Sequence, residues 1–68
     1  MSLDVSQIQV GAGYRAGSGE LRQVRAIESD EVTYVVIVHA LRRTSVGPLE
    51  HLPIARFARE AERPEACP

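Results

Sequence analysis

The sequence predicts a mainly β domain of four or five antiparallel strands with a short C-terminal helix. Three observations carry that reading. Val32 to Leu41 is dense in β-branched and aromatic residues, which fit a pleated strand better than a helix. Ala16-Gly-Ser-Gly19 separates two strand-like runs, and glycine supplies the positive φ angles a tight hairpin demands. The one stretch with helical spacing comes late, where Ile54, Phe57, Ala58 and Ala61 fall at i, i+3, i+4 and i+7. At 68 residues the chain makes one domain. A domain of that size hides only about 60% of its unfolded surface, so its core is thin.

Taken in order, Ser2 to Gln9 reads as a weak lead-in, an edge strand through Val5, Ile8 and Val10. Gly11 and Gly13 flank the entry to a strand around Tyr14, and Leu21 to Glu28 returns beyond the glycine hairpin. In that second strand Val24 and Ala26 share one face while Leu21 and Ile27 share the other, a broken alternation that predicts a bulge or strong coiling. Glu28-Ser-Asp-Glu31 is a polar turn. In the strand after it, Val32, Tyr34, Val36 and Val38 point one way and Val35, Ile37 and Leu41 the other, so both faces need cover. Arg42 to Ser45 and Gly47-Pro48 read as loops, with a short fourth strand near Ser45 to Leu52. Pro53 opens the helix at its first position, Pro64 stops it, and Phe57 docks on the sheet. Arg56 with Glu60 and Arg59 with Glu62 pair on the outer face. The domain is expected over 1–63, with 64–68 a flexible tail.

The charge excludes several functions. Eight arginines and no lysine stand against nine acids, a formal net charge of -1, so no overall basic field draws the chain to nucleic acid. The arginine and alanine bias marks a GC-rich coding sequence, pointing to a bacterium, its phage or a plasmid. No membrane segment is expected, because the longest apolar stretch is far short of a span, and the cytoplasm is the expected compartment. Cys67 is the only cysteine, which rules out an internal disulfide and a cysteine-based metal site.

Val10-Gly-x-x-Tyr14-Arg-x-x-x-Gly19-x-x-Arg-x-Val24-x-x-Ile27, followed by Val32-x-Tyr34 and by Leu52-Pro-x-x-x-Phe57-Ala, resembles a class of small bacterial and phage SH3-like β-barrels. The similarity covers residues 10–58. It implies a binding or assembly module rather than an enzyme, and it carries over no defined site. Tyr14, Tyr34 and Phe57 are the only aromatic residues, and there is no tryptophan, which argues against proline-peptide recognition.

The residues hold no catalytic constellation. The glycines of Gly11-Ala-Gly13-Tyr-Arg-Ala-Gly17 echo a dinucleotide loop, but a hairpin follows them instead of the helix that loop requires. His39 and His51 lack a third metal ligand, and Glu28, Asp30 and Glu31 read as a solvated turn. No cofactor, metal or enzyme activity is expected. The candidate binding residues are arginines: Arg15 and Arg22 flank the hairpin, and Arg42 and Arg43 sit on another loop. Brought to one end of a barrel, they make a patch for phosphate or an acidic protein surface; the alternative is a solvated surface balanced by Glu20, Glu28 and Glu50. Tyr34, on the two-faced strand, joins them as a candidate. The function expected is a non-enzymatic protein-interaction module or small accessory or inhibitor protein, acting on a protein partner or on a second copy of itself. The alternative is a nucleic-acid-binding barrel that uses the clustered arginines.

Overall fold

The computed structural model describes residues 3–67. Six strands and one helix follow in chain order: β1 (Gly13–Ala16), β2 (Leu21–Glu28), β3 (Glu31–Ala40), β4 (Arg43–Val46), β5 (Glu50–Pro53), α1 (Ile54–Glu60) and β6 (Ala61–Pro64). All pairings are antiparallel in one sheet of order β4-β3-β2-β1-β6, with β5 also on β3. The mainly β class with a short C-terminal helix is as predicted.

Two departures raise the strand count. The single fourth strand expected near residues 45–52 is present as β4 and β5, which run along the same edge of β3: Ile37 opposes Val46, while Tyr34 opposes Glu50. Across Gly47 to Leu49 the register slips by one residue, a bulge that divides one strand into two. The Gly47 N–H still reaches the Val36 carbonyl at 3.0 Å. β4 begins at Arg43, inside the expected loop, because the turn lies one step earlier, at Leu41 and Arg42. Leu41 is therefore a turn residue, 96% exposed, rather than a member of a strand face.

The helix also ends sooner than its spacing predicts. Ala61 leaves it and pairs with Ala16, and Pro64 lies opposite Tyr14. Proline disfavours helix in the residue before it, and on an edge strand its missing N–H is tolerated. The expected loose tail is docked as far as it is described. The Glu65 N–H bonds the Gly13 carbonyl at 2.9 Å, and Cys67 packs on Leu21, Val35 and Ile37. Pro68, like Met1 and Ser2, lies outside the described residues.

At the other end the lead-in forms a 3-10 turn, Val5–Gln7, instead of an edge strand. The Asp4 N–H donates to Gln7 Oε1 at 2.8 Å, and the Tyr14 hydroxyl donates to the Gln7 carbonyl at 2.7 Å while accepting from the Gln9 N–H at 2.8 Å. β1 has no open edge for this segment, since β2 and β6 pair with its two sides.

The two faces of β3 are covered by different parts of the chain. On one face Val32 and Tyr34 join Tyr14, Val24, Ala58 and a fully buried Phe57. The Phe57 ring meets Tyr14 and Tyr34 in edge-on contacts with centres 5.8 and 5.2 Å apart. On the other face the residues after β6 cover Val35 and Ile37. The broken alternation of β2 is a bulge, since Val24 opposes Tyr34 and Ala26 opposes Thr33, with Arg25 left over.

Candidate functional site

Alternation along the strands settles where the arginines point. Tyr14 opposes Arg22 and Arg15 opposes Leu21, so Arg15 and Arg22 face opposite sides of the sheet. The single patch expected of Arg15, Arg22, Arg42 and Arg43 is not assembled.

Arg22 is buried. Its Nε donates to Glu20 at 2.7 Å and its Nη1 to Glu60 at 2.8 Å. The guanidinium covers Tyr34 and Phe57, its carbon 5.0 and 5.8 Å from the two ring centres. Burial by itself lowers its pKa, but the bonds to Glu60 and Glu20 outweigh that and hold it above the ordinary value. The same pairing, with help from Arg56, holds the Glu60 carboxyl below the usual range. Tyr34 is buried beneath this cluster, and desolvation raises its phenol. Arg22 and Tyr34, both candidate binding residues, thus form one edge of the core. The carboxylates that neutralise Arg22 lie 2 residues before it and 38 after it; the second separation is invisible without the fold.

Arg15 is also engaged. Its guanidinium pairs with Glu65, and its Nη1 donates to the Gly19 carbonyl at 2.7 Å. Arg63, directly opposite on β6, reaches the same carboxylate at 3.3 Å, so Glu65 relieves a like-charge pair. The Glu65 carboxyl is lowered first by its bond from Arg15. An open hollow of about 430 Å³ lies between the β1–β2 turn and the end of α1. Arg22 and Glu60, which border it, are already bonded to each other.

Arg42 and Arg43 differ. Among the described residues neither has a carboxylate partner, and both are exposed. They sit where β3 turns into β4, and the register puts Arg43 opposite Ala40, four residues beyond the Val36 that opposes Arg22. That spacing is about 13 Å of strand. The turn holds Leu41 at φ 50° and Arg42 at φ 68°. Left-handed backbone at two consecutive residues is what a two-residue hairpin requires, but asparagine and glycine adopt it with far less strain than leucine and arginine. Val38 and Val46, exposed by 55 and 52%, lie on opposite faces of this hairpin, since Val46 opposes Ile37 and Val38 opposes Ser45; Leu49, 61% exposed, lies farther along the same edge, between β4 and β5. The sequence hid this exposure, because a strongly apolar strand reads as buried along its whole length.

The remaining candidates take structural or solvated places. His39 bonds Thr44 Oγ1 at 2.8 Å, and His51 bonds Thr33 Oγ1 at 3.0 Å. Among the described residues no group of three or more His, Cys, Asp or Glu is placed to hold a metal. Glu28, Asp30 and Glu31 are exposed at the β2–β3 turn. Among the described residues no helix is long and apolar enough to cross a membrane. No family model matches the chain, and comparison with curated proteins and with solved structures finds no match.

Proposed function

We propose that this chain is a non-enzymatic protein-interaction module whose contact surface is the β3–β4 hairpin. The observation that supports it is the exposure of Leu41 at the turn, with Val38 and Val46 exposed on the two faces behind it, beside two arginines that have no carboxylate partner among the described residues. Exposed apolar side chains rimmed by charge mark interaction surfaces, and a strained turn persists where its shape is used. We read the architecture as SH3-like: a meander, a short helix, then a last strand returning to the first agree with the resemblance seen in residues 10–58. The nucleic-acid alternative is weaker, since Arg15 and Arg22 already serve carboxylates and, among the described residues, only Arg42 and Arg43 of the proposed patch lack a carboxylate partner.

Selection from a displayed peptide library tests the reading. Binders are expected whose affinity falls at least about tenfold on Leu41→Asp and is unchanged on Arg59→Ala. Failure to select any binder, together with salt-sensitive binding of nucleic acid lost on R42A/R43A, overturns it.

A further inference from the structure

The outer edge formed by β4 and β5 is polar at both ends and apolar in the middle. Arg42 and Arg43 stand at one end. Val46 and Leu49 lie between, and Glu50 follows. The far end is the β2–β3 turn, where Glu28 and Glu31 lie directly opposite each other with Asp30 between them, and where the Ile54 N–H is bonded to the Asp30 carbonyl at 2.7 Å. Like charges directly opposite on a sheet destabilise it. Among the described residues the only basic side chain within 4 Å of these carboxylates is His51, whose Nδ1 lies 3.7 Å from Glu31. Among the described residues this edge thus ends at a basic pole with no carboxylate partner and, one strand inward at its other end, at an acidic turn with no arginine partner. Nine residue steps of β3 set them about 30 Å apart. That nearly spans the 35 Å length of the molecule.

We infer that the partner of this edge is a second copy of the chain, docked antiparallel about a two-fold axis near Gly47–Leu49; the inference rests on the interaction-module reading and names its partner. A two-fold interface must be self-complementary. Reversing this edge against itself lays each basic pole beside the other copy's acidic turn, and the two contacts form together because the poles are equally spaced in both copies. Val46 and Leu49 then meet at the centre, the part of an interface where apolar side chains contribute most. The backbone is ready for it. The Gly47 and Ile54 N–H groups point inward to β3, so by alternation those of Thr44, Val46 and His51 face outward. Pro48 offers no donor and keeps other strands from adding along the whole edge, leaving the pole contacts to select the partner.

Light scattering on the eluting protein tests this with two charge reversals, R42E/R43E and E28R/E31R, all of exposed residues. The wild type is expected at dimer mass. Each variant alone is expected to dissociate at least about tenfold more readily, and an equimolar mixture of the two to recover the dimer, since each then supplies the pole the other has lost. A wild type at monomer mass at its highest soluble concentration overturns the inference, as does a dimer indifferent to both reversals. If the wild type is a monomer while library binders still depend on Leu41, the second copy is excluded and the interaction module stands.

Discussion

The Arg22 guanidinium covers the Tyr34 ring at 5.0 Å from its centre while bonding Glu60 at 2.8 Å, so one cation ties β2 and β3 to the end of α1. It closes the side of the core that Phe57 fills from within.

Replacing Arg22 leaves Glu20 and Glu60 facing each other without their cation and uncovers both rings. Arg22→Ala is expected to lower stability by about 2 to 3 kcal/mol, below the range for a fully buried pair because both carboxylates are about one-third exposed. Arg22→Lys keeps the charge but loses the planar fork and the stacking, and recovers less than half of that loss. Thermal and denaturant melts of the two variants measure the difference.

Acid removes the same ties. The Glu60 and Glu65 carboxyls titrate below their ordinary range because of Arg22 and Arg15 respectively, so each contributes stability present above the unfolded-state value. That contribution falls as pH drops through the lowered folded-state values. Melting temperature is expected to be flat near neutrality and to decline below about pH 4.5, the loss shrinking in E60Q/E65Q.

Gly13 lies where the chain beyond β6 crosses the sheet. A Cβ there would stand 2.5 Å from both the Glu65 carbonyl oxygen and Cys67 Sγ. Gly13→Ala is expected to displace residues 65–67, expose Leu21, Val35 and Ile37, and lower stability by about 1 to 3 kcal/mol. A several-fold faster reaction of Cys67 with a thiol reagent, together with lost exchange protection of the Glu65 N–H, reports the displacement.

The β3–β4 turn separates stability from binding. Leu41→Asn with Arg42→Gly supplies residues that accept left-handed backbone, and is expected to raise stability by about 1 kcal/mol. The same change removes the exposed leucine and one free arginine, so binding to selected peptides falls. A variant that is more stable and binds equally well would place the contact surface elsewhere.

Local rules made much of this fold legible. The glycines of Gly17-Ser-Gly19, the polar turn before Val32 and the β-branched run after it each encode their own geometry, and β1, β2 and β3 lie where they predict. Even the β2 bulge shows in the misplaced apolar pattern of Val24 to Ile27. The site was less legible, because an arginine's role depends on which carboxylate faces it. Arg22 and Arg42 look alike in the chain; one is stacked and paired inside the fold, and the other, among the described residues, has no carboxylate partner on its turn.

The sequence by itself determined that the run from Val32 forms a strand with two apolar faces, since alternation is a property of neighbouring residues. Only the tertiary structure decided what covers them: Phe57 of α1 on one face and the segment ending at Cys67 on the other, with Val38 left uncovered toward the turn. Helical spacing runs on through Ala61, yet α1 stops at Glu60, because an edge of β1 distant in sequence offers backbone hydrogen bonds that no local pattern records.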